Sequence, residues 1–358
     1  MFELTDDEAV IVVEDDLFFS PDLMEFFLAG YHVLRADPSL WCVSAWNDNG
    51  FGGLVADPKR LLRTGFFPGL GWLLTRRLYE EQLEPQWPNE HWDHWMRSET
   101  KHRTSRGREC LYPQVPRTFH HGSRGTFMNP VLHSRFFAHV ALSSDPRVRW
   151  PAYEWDQLRV TYSEAAYDTR LRQALADASP LTDLRALLQF GREEPHPRAP
   201  RHSRRKHQRP SSAHGASNVS EAGQGDGAAS GGVEAPTGSE RGRRHPPLAL
   251  WYEQPPRSTA SSLFREIATL LGIWHEMRRG SHRGVHELAC HNATLLIVNL
   301  VHGPDAQRSP YADLAPASKD IFRTSEQLRR AIKAAFRELP GRAQTAVCRT
   351  NVAPARIL

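Results

Sequence analysis

Between Arg192 and Pro247 the chain runs for 56 residues without a single Leu, Ile, Met, Phe, Tyr or Trp. Its only branched aliphatics are Val219 and Val233, set among eight Gly, seven Ser and seven Pro. Such a stretch cannot bury enough apolar surface to offset the entropy of ordering it, so it is expected to be disordered. The rest of the 358 residues holds all ten Trp, all sixteen Phe and all four Cys, enough for one large domain or two small ones. The expected division is a core over 1–159, a helical extension over 160–191, the polar insertion over 192–247, a small α+β part over 248–303 and a C-terminal extension over 304–358.

Several classes fall away on composition. The longest apolar run, Leu295 to Val301, contains Asn299 and is far short of a membrane span. The N-terminus lacks the charged, apolar and cleavage regions of a signal peptide. Four cysteines are too few for a disulfide-built scaffold or a four-thiolate zinc site of usual spacing. The formal charge is only +4, and it is basic chiefly from Arg192 to Arg209, with six Arg and one Lys against Glu193 and Glu194. That run has no aromatic interleaving, so a solvated linker is preferred and no nucleic-acid partner is expected.

The first block opens on Ala9-Val-Ile-Val-Val13, a β-branched run that predicts a strand buried on both faces, and three acids end it: Glu14, Asp15 and Asp16. Ser20-Pro21 reads as an N-cap with Pro at the first helical position. The spacing of Leu23, Phe26, Phe27, Tyr31 and Leu34 then marks an amphipathic helix. Leu40 to Ser44 reads as the next strand and Asn47-Asp-Asn-Gly50 as its turn. Phe67-Pro-Gly-Leu-Gly-Trp72 predicts a tight bend into a strand, with a helix near Arg76 to Glu81. Strand, helix, strand in this order implies an α/β sheet. Further on, Glu154 to Gln189 leans helical, Ser261 to Leu271 has helical periodicity, and Gly284–Leu288 with Leu295–Leu300 suggests a strand pair. Asn218-Val-Ser220 and Asn292-Ala-Thr294 are glycosylation sequons.

In α/β sheets, ligands gather at the carboxyl ends of the strands. Three consecutive acids buried there would repel one another unless a cation offsets them, and a hard divalent ion takes oxygen ligands and bridges to phosphate. The alternative is a solvated acidic loop, and spacing alone leaves both open. A phosphatase nucleophile of the Asp-x-Asp-x-Thr kind is excluded, since Phe18 follows Leu17.

The combination of Val12-Val-Glu-Asp-Asp-Leu17, Ser39 to Gly50, Phe67 to Trp72, Leu83-Glu-Pro-Gln-Trp-Pro88 and Trp92-Asp-His-Trp-Met-Arg97 resembles the β-1,2-N-acetylglucosaminyltransferases, which add GlcNAc to mannose on N-glycans or O-mannosyl glycans. The resemblance is dense from Ala9 to Arg149 and resumes from Leu263 to Val301. It implies an α/β nucleotide-sugar domain of the GT-A type (Rossmann-like), a UDP-GlcNAc donor, Mn²⁺, a mannose-terminated glycoprotein acceptor and a Golgi setting. It makes Asp16 the metal ligand, has Glu14 and Asp15 contact the donor, and puts Leu70 and Trp92 on the donor sugar. Asp93 becomes the base that takes the proton of the mannose 2-hydroxyl. Read without the resemblance, Asp93 is better taken as a helix N-cap, and Leu70 and Trp92 as core residues.

Cys42 and Cys110 match a disulfide pair of the family, whereas Cys290 and Cys348 match none. For the acceptor, Arg106 to Cys110, Met128-Asn129 and Arg279 to Gly284 lean toward the O-mannose enzyme. Glu14-Asp-Asp16 and Trp92 to Met96 lean toward the N-glycan enzyme. In the stretch His121 to Phe127, which matches the loop over the donor phosphates, Phe127 stands where the N-glycan enzyme carries Ser, so Thr126 has to substitute or the loop closes differently. The family also places strand–helix units that hold the uridine, and a membrane anchor, ahead of its acidic triplet; here thirteen residues precede Glu14. The expectation is therefore the later part of such an enzyme, lacking its N-terminal part. The alternative is a non-catalytic relative that binds a glycan or a partner.

Overall fold

A computed structural model of the chain describes residues 2, 5–88, 95–96, 107–125, 128–190, 246–254, 263–291, 293–302, 307–336 and 347–348. Most of the polar insertion lies outside these residues, as do both sequon asparagines, Asn218 and Asn292. The first block supplies strands β1 (Ala9–Val12), β2 (Leu17–Phe19), β3 (Leu40–Ser44), β4 (Leu61–Thr64), β5 (Trp72–Thr75), β6 (Glu109–Pro113) and β7 (Thr118–His120). Five of them form a mixed sheet in the order β1-β5-β3-β6-β4. β5 is antiparallel to both β1 and β3, and β6 is parallel to β3. Hence β1, β3 and β6 point the same way, and their carboxyl ends share one edge of the sheet.

The central strand β3 is buried at every position, as its unbroken apolar run requires. One face carries the helix Leu23–Ala36, whose Phe26, Phe27 and Val33 pack on Val43, Leu73 and Leu111. Gly30 allows this close approach, since a Cβ there would lie 2.7 Å from Cγ1 of Val43. The other face is covered by Trp41, Phe67, Trp72, Leu74 and Met96. The disulfide implied for Cys42 and Cys110 is formed, joining partnered positions of β3 and β6 with Cα atoms 4.7 Å apart.

Two local expectations are corrected. β1 lies at the edge of the sheet and is half-buried throughout, and Val13 is 48% exposed. β-branched residues favour the pleated backbone at an edge as much as at the centre, so the run alone does not reveal the position. The helix begins at Leu23 with Asp22 as its N-cap, not at Pro21 after Ser20. The Asp22 carboxylate makes no cap bond; it accepts instead from Arg117 Nε and Trp150 Nε1, each at 2.8 Å. A buried charge takes the buried cation in preference to backbone amides that the helix can leave to other partners.

The second sheet comprises β8 (Ser179–Pro180), β9 (Leu248–Tyr252), β10 (Ser281–His282), β11 (Val285–Cys290) and β12 (Ala293–Asn299), in the order β10-β11-β12-β9-β8. The expected strand pair is the β11–β12 hairpin, with Leu288 opposite Leu295, and the expected helix is Leu263–Leu271. The two sheets meet along β4 and β10, where the Gly65 N–H reaches the Ser281 carbonyl at 3.3 Å. Asn49, in the turn after β3, accepts from the Trp274 N–H at 3.0 Å and donates to the Arg279 carbonyl at 2.9 Å. A shared core joins Trp46, Phe51 and Leu54 to Leu250, Ile267, Leu271 and Ile297. A second disulfide, Cys290–Cys348, ties the end of β11 to the C-terminal region. No helix among the described residues is long and apolar enough to cross a membrane.

Candidate functional site

Glu14, Asp15 and Asp16 occupy the link between β1 and β2, on the edge where β1, β3 and β6 end. The chain does not pass from the acids straight into the helix. β2 first pairs antiparallel with β7, setting Leu17 opposite His120, Phe18 opposite Phe119 and Phe19 opposite Thr118. Leu17 is buried, while Phe18 stacks on the His121 ring at 4.4 Å and faces Phe119 at 6.4 Å, cross-strand contacts that hold such a ribbon together.

The acids are not buried together. Asp15 is exposed, Glu14 is half-buried, and the Asp16 side chain keeps 34% of its surface in solvent. Their repulsion is therefore relieved by water and by a partner on β7. Oδ2 of Asp16 lies 3.1 Å from Nε2 of His120, and the Asp16 carbonyl accepts from the His121 N–H at 3.0 Å. Burial pushes the His120 imidazole below its usual pKa; the Asp16 carboxylate opposes this and the nearby His133 reinforces it. His133 Nε2 in turn lies 3.2 Å from the His120 carbonyl.

Among the described residues, no group of three or more His, Cys, Asp or Glu side chains converges to hold a metal alone. The donor set here is one half-exposed carboxylate with two more acids adjacent in the chain. That set fits a hard cation bound through one or two carboxylates, its shell completed by phosphate oxygens and water.

The bend ahead of β5 lies against the same ribbon. Gly69, Leu70 and Gly71 all have left-handed backbone, with φ of 67°, 52° and 89°. For Leu70 this conformation is strained, and the surroundings hold it. Its carbonyl accepts from Thr118 Oγ1 at 2.7 Å, the Gly71 carbonyl accepts from the Ala45 N–H at 2.8 Å, and its side chain is buried in the shared core. Asp16 and Leu70 thus attach to opposite ends of β7. Trp92 and Asp93 lie outside the described residues, as do Thr126 and Phe127. Trp95 and Met96, which follow Asp93, pack with Trp41, Phe67 and Trp72. Cys42 and Cys110 belong to that cluster too and are structural.

The model of the GNT-I family matches residues 1–193, more than half of the chain. The chain belongs to the GNT-I family. A relative from Arabidopsis thaliana, an alpha-1,3-mannosyl-glycoprotein 2-beta-N-acetylglucosaminyltransferase, is 35% identical over 165 residues, which is 46% of this chain and 36% of the relative. The chain therefore spans about a third of that relative's length. The GNT-I match takes in every site residue named above and ends at 193, before β9. Within the matched part, His120 is the site residue that pattern reading missed. Its signal is faint, because a His two residues past a Thr in a short strand is indistinguishable from any strand histidine until the β2–β7 register places it beside Asp16.

Proposed function

We propose that this GNT-I member carries the donor-phosphate and metal centre of an inverting GT-A type transferase. The reaction moves GlcNAc from UDP-GlcNAc in β-1,2 linkage to the 2-hydroxyl of a terminal mannose on a glycoprotein glycan. The observation that supports it most is the placement of Glu14, Asp15 and Asp16 at the shared carboxyl edge of β1, β3 and β6. There a helper cation and a diphosphate would meet strand ends and a glycine-containing bend. Asp16 would hold Mn²⁺, with Glu14 and Asp15 toward the donor and Leu70 and Trp92 toward its sugar. When bound, the cation supplies charge neutralisation at the UDP diphosphate.

The residues of the chain divide the remaining work. Asp93 takes the proton of the mannose 2-hydroxyl as that oxygen attacks C1, and the C1–O bond breaks with its electron pair leaving on UDP. The rigid Gly69–Gly71 backbone, locked by Thr118 and Ala45, keeps Leu70 fixed against a core that would exclude water from the donor sugar. The name of the Arabidopsis relative favours the N-glycan mannose as acceptor. Two disulfides fit an oxidising compartment such as the Golgi lumen.

The test is transfer and binding by the full chain. With UDP-GlcNAc, Mn²⁺ and a mannose-terminated glycan, the wild type is expected to form product, and Asp16→Asn and Asp93→Asn to lose roughly 10²–10³-fold. Absence of calorimetric donor binding at millimolar UDP-GlcNAc with Mn²⁺ would overturn the reading. Glycan binding without donor binding would replace transfer by recognition.

A further inference from the structure

Asp16 is gripped on three sides by one short segment. His120 Nε2 lies 3.1 Å from its Oδ2, the His121 N–H holds its carbonyl at 3.0 Å, and Gly122 leaves the room its carboxylate occupies. A Cβ on Gly122 would sit 2.4 Å from Oδ2 of Asp16 and 3.2 Å from its Cγ, a contact that the carboxylate could relieve only by moving. His120 is itself fixed. Its side chain is 8% exposed, its ring lies 5.1 Å from that of Phe137, and its carbonyl meets Nε2 of His133.

We infer that His120 is the positioning residue of Asp16: its buried imidazole, with Nε2 3.1 Å from Oδ2, holds the carboxylate in place for the cation, and the space left by Gly122 is required for that orientation. The inference rests on the reading of Asp16 as a metal ligand. Groups behind a metal ligand that fix its rotamer in this way typically govern affinity by 10–100-fold without touching the ion.

The experiment measures Mn²⁺ affinity in the presence of UDP, by the electron paramagnetic resonance signal of free Mn²⁺, on the full chain and its variants. His120→Leu is expected to weaken Mn²⁺ by roughly 10–100-fold. His120→Gln, which keeps a polar group of similar reach beside Oδ2, is expected to stay within about threefold of wild type, and Gly122→Ala to resemble His120→Leu. Wild-type affinity in His120→Leu overturns the inference while leaving the Asp16 reading intact. So does ¹⁴N coupling to bound Mn²⁺ that is lost in both His120 variants, since it would make His120 a direct ligand. If wild type binds no Mn²⁺ with UDP, the reading of Asp16 fails and this inference fails with it. A measurement on the unaltered chain covers the case in which the variants do not fold: adding Mg²⁺ with UDP should shift the His120 ring resonances, and unchanged resonances overturn the inference.

Discussion

Nδ1 of His282 lies 2.7 Å from Oε1 of Glu109, so a hairpin of the second sheet is fastened to the central strands of the first. The other ring nitrogen, Nε2, lies 2.6 Å from Oδ1 of Asp168 on the helix Glu164–Ala176. Both nitrogens face carboxylates, which only accept, so the ring carries two protons and a positive charge. Arg63, fully buried, pairs with the same Glu109 and with Asp37. The network has the partners that burial of charge demands, and its value depends on every member being ionised.

Its pH dependence follows from the directions of the shifts. Burial works against the His282 cation, but Glu109 and Asp168 outweigh it and raise its pKa above 6.5. Burial likewise works against the Glu109 carboxylate, yet His282 and Arg63 bring it below 4.5, and Asp168, opposed by burial but bonded by His282 and Tyr311, falls to about 2. A raised histidine stabilises fully below its unfolded value and loses that as pH rises through the folded one. The depressed carboxylates stabilise above their unfolded values and lose it as pH falls through the folded ones. The network is therefore strongest between about pH 4.5 and 6.5. Melting curves should show Tm falling above that window in wild type, and His282→Leu should remove the alkaline slope while costing roughly 3–5 kcal/mol at pH 5.5. A wild-type Tm that is flat from mildly acidic to alkaline pH would contradict this.

The pair of Arg117 and Asp22 gives a second prediction. Arg117 Nε donates to Asp22 Oδ2 at 2.8 Å, and neither side chain exceeds 1% exposure. Arg117→Met strands a buried carboxylate and is expected to cost about 3–5 kcal/mol in urea unfolding, whereas adding Asp22→Asn should restore part of it. Equal stability of the single and double variants would show that the loss comes from Arg117's bonds to the Val115 and Pro58 carbonyls and not from the stranded Asp22.

The two disulfides close similar spans, 68 residues for Cys42–Cys110 and 58 for Cys290–Cys348. Chain entropy alone then assigns each about 4 kcal/mol. Replacing either pair with Ser should lower stability by nearly the same amount. A clearly larger loss for Cys42 and Cys110 would measure the packing of the β3–β6 centre rather than loop closure.

At Gly71, φ is 89° and an added Cβ would sit 2.9 Å from Cγ2 of Thr118. Gly71→Ala is expected to destabilise by about 1–3 kcal/mol and to loosen the Thr118–Leu70 bond. Amide exchange in the bend should report the loosening, and wild-type protection there would refute it.

How far these features could be read beforehand depends on the range of the interaction behind each. The helix Leu23–Ala36, strand β3, the Asn47–Gly50 turn and the β11–β12 hairpin rest on local periodicity and turn chemistry, and all were legible. Asp22 as cap, β1 as an edge strand, His120 beside Asp16 and the Cys290–Cys348 bridge are set by partners dozens of positions away. No periodicity encodes such partners. The acidic triplet was legible as a candidate because three adjacent acids after an apolar strand are locally conspicuous. The contact of Asp16 with His120, by contrast, depends on the β2–β7 register.

Asn49 sits in the turn that ends β3, yet its side-chain partners lie 225 and 230 residues further along the chain. During synthesis the turn that ends β3 therefore cannot be completed until those partners emerge, and the contacts of Trp46, Phe51 and Leu54 with Leu250, Ile267 and Ile297 form equally late. The carboxyl edge of the first sheet closes through long-range contacts, the kind that slows folding most.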